Sequence, residues 1–447
     1  MKYYVLITGL LTQMFLFGQT WKPQVLNNPG YASFDRFSVP NIDNYWIVSL
    51  KCDSSENITY TGAFLNHTID GGKNWNSYSL PFIQFGYVES IFALDEKTAW
   101  IAGNDFNEGP FLYKSINGGK DWEKRECPIQ IYANKVHFFD AKNGILIDDN
   151  NQDLRITIYI TRDGGESWGE GKEAAYGQSD EYLLSNMAIS GDSIWMPTNT
   201  GRILFSSDRG ENWEEIFTVD NIFLWSVERD LQGNLYAPFV MSNPDGSDPK
   251  LTLLRSSDNF KTNKVITPND NNWWILDIEP VPGTNTIIAQ FNKGLGNKVT
   301  QTRISYDQGD HWIVIDTTTH IGRMYFSDSK NGFTGRWEPV ADNSTSLMYY
   351  YNGSPLLGII NDTRLNIEWN AYYKAGSELI QISFYNELPG KCLLLINDVQ
   401  GKLVYTRMIS PDERDIILPS DFLMEGIYNI AITNAEGTSA RKVEIIR

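Results

Sequence analysis

The chain is short of the residues that carry most covalent and cofactor chemistry. It has three cysteines in 447 residues, Cys52, Cys127 and Cys392. These are too few and too scattered for a disulfide framework or a zinc site. A Cys52–Cys127 bridge is open to it in an oxidising compartment, and three buried thiols are the plainer alternative. Histidines number four, His67, His137, His311 and His320. No HExxH pattern and no Cys/His cluster accompanies them, so no metal is expected. A Gly-x-Ser-x-Gly elbow and a Walker loop are both missing, and no cofactor is expected. Basic charge is also scarce: 37 Lys and Arg against 55 Asp and Glu leave a net charge of -18. That argues against nucleic acid and anionic lipid surfaces as partners. Beyond the first twenty residues no stretch is apolar enough to cross a bilayer, so the mature chain is expected to have no transmembrane segment.

What the chain has in quantity is aromatic residues, including 14 Trp and 23 Tyr, and one repeated stretch. Thr161-Arg162-Asp163-Gly164-Gly165-Glu166-Ser167-Trp168 is the clearest copy. Copies begin at Thr68, Ser115, Ser206 and Ser305, and a worn copy, Ser256-Ser257-Asp258-Asn259-Phe260, keeps the first half. The pattern is Ser/Thr-x-Asp-x-Gly-x-x-Trp, with Asp70, Asn117, Asp163, Asp208, Asp258 and Asp307 at its third position. Each residue type has a turn role. The carboxylate accepts from nearby backbone N–H groups, glycine supplies a positive φ, and the Trp opens the next strand with a ring to bury. The stretch resembles the Asp-box, or bacterial neuraminidase, repeat of the sialidases and the photosystem II assembly-factor-like group. That resemblance implies a β-propeller in which the boxes are structural and lie away from the catalytic face.

The third positions recur every 45–50 residues, a period of repeat architectures. Between boxes the chain reads as four short strands with polar turns, the plan of a propeller blade. A seventh unit around 323–350 lacks its fourth strand, and Trp21-Lys22-Pro23-Gln24-Val25-Leu26 can supply it from the other end of the chain. Such closure removes an open edge. The expected fold is all-β: a seven-bladed propeller over 20–356, with six blades as the rival count, then a linker at 357–364. Residues 365–447 change composition and read as a small antiparallel β-sandwich. This segment is similar to the type A C-terminal sorting domain of the type IX secretion system. The likeness lies in Asn397-Asp398, Gly401-Lys402, Glu425-Gly426-Ile427-Tyr428 and a basic-then-apolar final strand. Residues 1–19, with Lys2 ahead of a mostly apolar run, read as a signal peptide. The expectation is export through the periplasm to the cell surface or medium, with the secretion machinery as one partner and removal of the C-terminal module afterwards.

The early Arg-Ile/Leu-Pro motif of sialidases is absent, and Asp35-Arg36-Phe37-Ser38-Val39-Pro40 does not replace it. Glu228, Asp277 and Glu279 fall near first strands and are the candidate carboxylates for a paired-carboxylate mechanism. Trp225, Trp273 and Trp274 stand where first strands of successive units begin, so they are candidates to stack on a ligand at the channel mouth. Trp225 and Trp274 are one repeat apart and should be neighbours. Strand alternation puts Asp277, three residues after Trp274, on the opposite face. The expected function is a non-catalytic binding propeller for an extracellular glycan or protein. The alternative is an extracellular glycoside hydrolase of sialidase or xyloglucanase-like type.

Overall fold

The computed structural model describes residues 21–446 with interruptions, the longer ones at 53–59, 172–180, 242–249, 336–347 and 352–364. The expected leader and linker lie outside the described residues. Seven sheets follow one another along residues 21–351 and form a β-propeller. Their innermost strands are Tyr31–Asn41, Gly86–Ala93, Ala133–Phe138, Ala188–Ser190, the broken pair Ile222–Leu224 and Glu228–Arg229, Trp273–Pro280, and Met324–Phe326. Within a sheet the strands run as an antiparallel meander, so sequence neighbours pair.

The seventh sheet is the exception. Its outer strand is Trp21–Gln24, paired with Met348–Tyr351 in the register Trp21↔Tyr351 to Gln24↔Met348. The first sheet meets the seventh through Phe37, whose ring centroid lies 5.1 Å from that of Phe333. The ring is therefore shut by pairing and by packing, with both chain ends of the repeat array in one sheet.

The repeated turn is an inter-sheet fastener. In the third sheet Thr161 Oγ1 accepts from Gly165 N at 2.9 Å, and Asp163 Oδ1 accepts from Ser167 N at 3.0 Å. The same bonds recur at Thr68 with Gly72, Ser115 with Gly119, Ser206 with Gly210 and Ser305 with Gly309. The worn copy keeps them too, Ser256 Oγ accepting from Phe260 N at 2.8 Å. There Asn259 and Phe260 hold φ of 61° and 60°; at the first of these positions Arg209 and Gln308 also hold positive φ, and at the second the other copies use glycine. Glycine is required at position 119, where a Cβ would sit 2.0 Å from Leu65 Cδ2 of the preceding sheet. The Asp307 side of the last copy lies outside the described residues. Among them, the third-position side chains make turn hydrogen bonds.

Behind the propeller, two further sheets form a sandwich. Strands Trp369–Lys374, Leu379–Phe384 and Asp415–Pro419 make one; Cys392–Asp398, Leu403–Ile409, Gly426–Asn434 and Gly437–Ile445 make the other. Leu394, Ile396, Ile430 and Ile432 face inward on a core with Trp369, Ile380 and Ile382. Leu393, Leu395 and Ala431, on the other face of the same strands, pack against Trp21, Tyr306, Tyr351 and Phe326 of the propeller. The run Cys-Leu-Leu-Leu-Ile at 392–396 does not alternate because both faces of this strand are buried. Cys127 and Cys392 are free thiols, and the side chain of Cys52 lies outside the description.

Candidate functional site

Each innermost strand runs from the loops joining sheets toward the end of the ring that carries the repeated turns. A meander of four strands returns its 1–2 and 3–4 turns to the same end, which fixes this polarity. The strands are not regular. Register shifts interrupt them between Ser33 and Arg36, Val88 and Ser90, Ala133 and Lys135, and Ile275 and Asp277. The fifth sheet is broken outright between Leu224 and Glu228. A bulge adds a residue, kinks the strand and re-aims the side chains beside it. At every one of these positions a charged residue follows or occupies the irregularity: Arg36, Glu89, Lys135, Asp277 and Glu228.

The consequence is a cavity of about 350 Å³ in the channel, toward the end with the repeated turns. Its inner wall is charged, with Arg36, Glu89, Lys135, Glu228, Glu279 and Arg323 coming from six different sheets. Further along the strands, toward the turn-bearing end, the lining is apolar and aromatic, with Phe37, Phe92, Met187, Ile189 and Tyr325, and His137 among them. Arg36 Nη2 donates to Glu89 at 2.9 Å, and Tyr132 donates its hydroxyl to the other Glu89 oxygen. Glu89 is thus fully used. Burial, followed by the neighbouring Asp277 charge, pushes Glu228 up to about 8. Asp277 is pushed up to about 7 by burial, and Glu279 well above its usual range by burial and by the Glu228 and Asp277 charges. Lys135 is pushed down to about 7, first by burial and then by Arg323 and Arg36. His137 is held down to about 3 by burial.

The candidate carboxylates occupy different stations. Glu228 and Glu279 line the cavity. Asp277 is 5% exposed, and its Oδ2 accepts from Met324 N at 2.7 Å. Glu279 Oε1 accepts from Phe326 N at 3.3 Å. Both bonds staple the sixth sheet to the seventh. Ser38 with Ala93 N and Ser90 with Val136 N fasten earlier sheets in the same manner. The face expected for Asp277 is corrected. Trp274 pairs with Asn292 and Asp277 with Gln290, so the extra residue at 276 returns Asp277 to the side of Trp274. Simple alternation fails wherever a bulge intervenes.

Trp225 and Trp274 are neighbours, with ring centroids 6.4 Å apart at 55°. Both are half-buried, and each indole Nε1 is buried with no hydrogen-bond partner among the described residues. They sit toward the channel end opposite the repeated turns, at the starts of their first strands. Trp273 faces the other way: it packs with Ile275, Ile278 and Phe291 between the fifth and sixth sheets, under the Arg303 guanidinium at 4.8 Å. Three aromatics missed by the sequence reading flank the Trp end. Phe106, 68% exposed, lies 5.5 Å from Tyr87, and Tyr87 lies 6.2 Å from Tyr132. Arg36, Lys135 and Arg323 were missed as well. Their signal was their position on first strands of the repeat, Arg36 and Lys135 about two repeats apart and Lys135 and Arg323 about four, rather than any local motif. No group of His, Cys, Asp and Glu able to hold a metal ion occurs among the described residues.

A family model described as photosynthesis system II assembly factor YCF48 matches residues 119–222, less than a quarter of the chain. Among solved structures, YCF48 bound to D1 peptide is similar at 16% identity and TM-score 0.53, covering 74% of this chain and 97% of that one. YCF48 from Cyanidioschyzon merolae is similar at 14% identity and TM-score 0.52, covering 74% and 98%. The GH74 xyloglucanase from Xanthomonas campestris covers 96% of this chain and 76% of its own at 10% identity and TM-score 0.48. Identities this low speak for the fold, a β-propeller with turns of the neuraminidase-repeat type. No curated protein matches the chain.

Proposed function

We propose that this is an exported, non-catalytic binding propeller whose ligand is a protein segment held at the Trp-bearing end of the channel. The observation that carries the reading is the aromatic surface there: the exposed Phe106 and Phe223, the Tyr87–Tyr132 pair and the Trp225–Trp274 pair. Large aromatic faces give contact area at little conformational cost. The two orphaned indole donors are groups that backbone carbonyls of a bound segment would satisfy on a small rotation of the rings. Asp277 and Glu279, by contrast, already accept from the seventh sheet's backbone. The propeller of the same fold named above is known with a peptide bound. Export rests on the N-terminal leader and on the type IX sorting character of 365–447, with the cell surface or medium as destination.

A glycoside hydrolase is the second reading, favoured by the raised pKa of Glu228, which would keep a general acid protonated near neutrality. Trp274→Ala and Glu228→Gln separate the two. For a binding protein, Trp274→Ala weakens capture of an immobilised peptide library by about tenfold, the scale of a lost stacked aromatic, and Glu228→Gln leaves it unchanged. Turnover of chromogenic glycosides that vanishes in Glu228→Gln would establish the hydrolase instead.

A further inference from the structure

We infer that the segment held at the Trp-bearing end of the channel is rich in proline, in the extended left-handed helix that such sequences adopt unaided. This rests on the reading of that end as a protein-binding surface, and the groups on the surface decide which sequence it takes. The indole Nε1 atoms of Trp225 and Trp274 are buried donors with no partner among the described residues. Asn292, directly across from Trp274 on the neighbouring strand, has its acceptor Oδ1 in the same condition. Gln290, two residues deeper on that strand, accepts from Thr302 through Oε1 and has no partner for the donor Nε2. The Ser226 hydroxyl beside Trp225 is unpartnered as well and can serve either way. Donors therefore predominate here.

An ordinary peptide segment brings an N–H with every carbonyl, and burying those N–H groups against a wall of donors leaves them unpaired. A sugar chain likewise brings a donor with each hydroxyl. Proline has a carbonyl and no N–H, so a proline-rich segment supplies acceptors alone. Its polyproline II helix exists before binding, which lowers the ordering cost, and such helices dock on aromatic-lined grooves. The aromatic faces are present. Trp225 and Trp274 meet at 55° with centroids 6.4 Å apart. Tyr87 and Tyr132, on the second and third sheets, meet at 52° and 6.2 Å. These are two notches of similar shape, with the fourth sheet between them. Five exposed apolar side chains, Phe106, Ile131, Val219, Phe223 and Val299, stand in the connections and strand starts of the same end. The net charge of -18 disfavours an acidic segment, and a proline tract carries no charge.

The test is a fluorescence-anisotropy titration of the full chain with labelled decaproline and a labelled Ser-Ala repeat of the same length. Decaproline should bind more tightly by at least about tenfold. Trp274→Phe keeps a ring and removes the N–H, and should weaken decaproline at least about threefold. Trp274→Ala should weaken it at least about tenfold, with circular dichroism confirming the fold. If either variant does not fold, Phe223→Ala, at an exposed position, should weaken decaproline instead. Equal binding of the two peptides, or decaproline binding that no folded variant diminishes, would overturn the assignment. If decaproline fails while peptides captured from a proline-free library are lost in Trp274→Ala, the proline assignment falls and the protein-segment reading stands. Binding of cello- or xylo-oligosaccharides with no peptide bound would overturn both.

Discussion

A hydroxyl holds each repeated turn from the inside. Thr161 is 1% exposed and takes the Gly165 N–H, while Asp163 works from the solvent side. Hydrogen bonds from the Ser167 hydroxyl and N–H hold the Asp163 carboxyl well below the usual carboxylate range. Thr161→Val keeps the shape and removes the acceptor, so it should cost about 1–3 kcal/mol by urea denaturation, the penalty of a buried orphaned N–H. Binding at the Trp-bearing end of the channel should be unaffected in the folded variant. Asp277 gives a second test at this scale. Its folded value near 7 against an ordinary 3.8 means the folded state holds the extra proton between those values. Its contribution to stability is therefore lost as pH rises from 3.8 to about 7 and is flat above that. Lys135, lowered to about 7, acts in the opposite sense above neutrality, and His67 and His137, lowered to about 4 and about 3, act below pH 6.5. Comparing variants cancels those groups. Asp277→Asn keeps an acceptor for Met324 N, so its stability relative to the parent should rise from pH 5 to pH 8, by about tenfold or more in the folding equilibrium. An equal difference at both pH values would mean that Asp277 ionises normally in the fold.

At the scale of elements, the legible and illegible parts of the sequence divide by the range of the cause. The turns were readable because Ser or Thr, Asp, Gly and Trp act on one another within eight residues. The closeness of Trp225 and Trp274 was readable because period alone places equivalent positions together. The bulges were not readable. Nothing in Trp273–Pro280 marks residue 276 as extra, and the face of Asp277 depends on which Gln290 partner it finds. The cavity wall was not readable either, since Arg36, Lys135 and Arg323 share no motif and meet only after the ring has closed. The last blade's missing strand was inferred from an absence, and Trp21–Gln24 fills it. Trp21 is fully buried there, between Phe326 and Tyr351 at 6.0 and 5.6 Å. Trp21→Ala should cost about 3–5 kcal/mol. Deleting 20–27 should lower the melting temperature of the whole ring; an unchanged melt would deny that this strand closes it.

For the whole molecule, the contact between sandwich and propeller changes what removal of the C-terminal module means. Leu393, Leu395 and Ala431 cover Trp21 and Tyr351 at the seam, so the module shields the place where the ring is joined without a covalent link. Deleting 365–447 should leave a folded propeller that binds an apolar dye such as ANS more strongly and melts lower than the full chain. Leu395→Asp should do the same with the module still attached, whereas a variant at the outward Ile427 should not. If the deleted protein neither brightens the dye nor shifts its melt, the contact carries no stability. Host cells supply the companion test of the sorting proposal: the truncated protein should accumulate in the periplasm, and its normal appearance outside would refute that address.

The pairing of Trp21 with Tyr351 also sets a clock. The partners are about 330 residues apart, so at a synthesis rate of 5–20 residues per second the first strand waits roughly 15–65 s for its mate. Closing a loop of that length costs about 5 kcal/mol of chain entropy before any pairing is gained. The seventh sheet therefore cannot be completed until Met348–Tyr351 has been made, whatever the first six have done by then. An export route that accepts only unfinished chains has its natural interval before that last strand docks, and a folded ring presented to it has to be opened at this one joint.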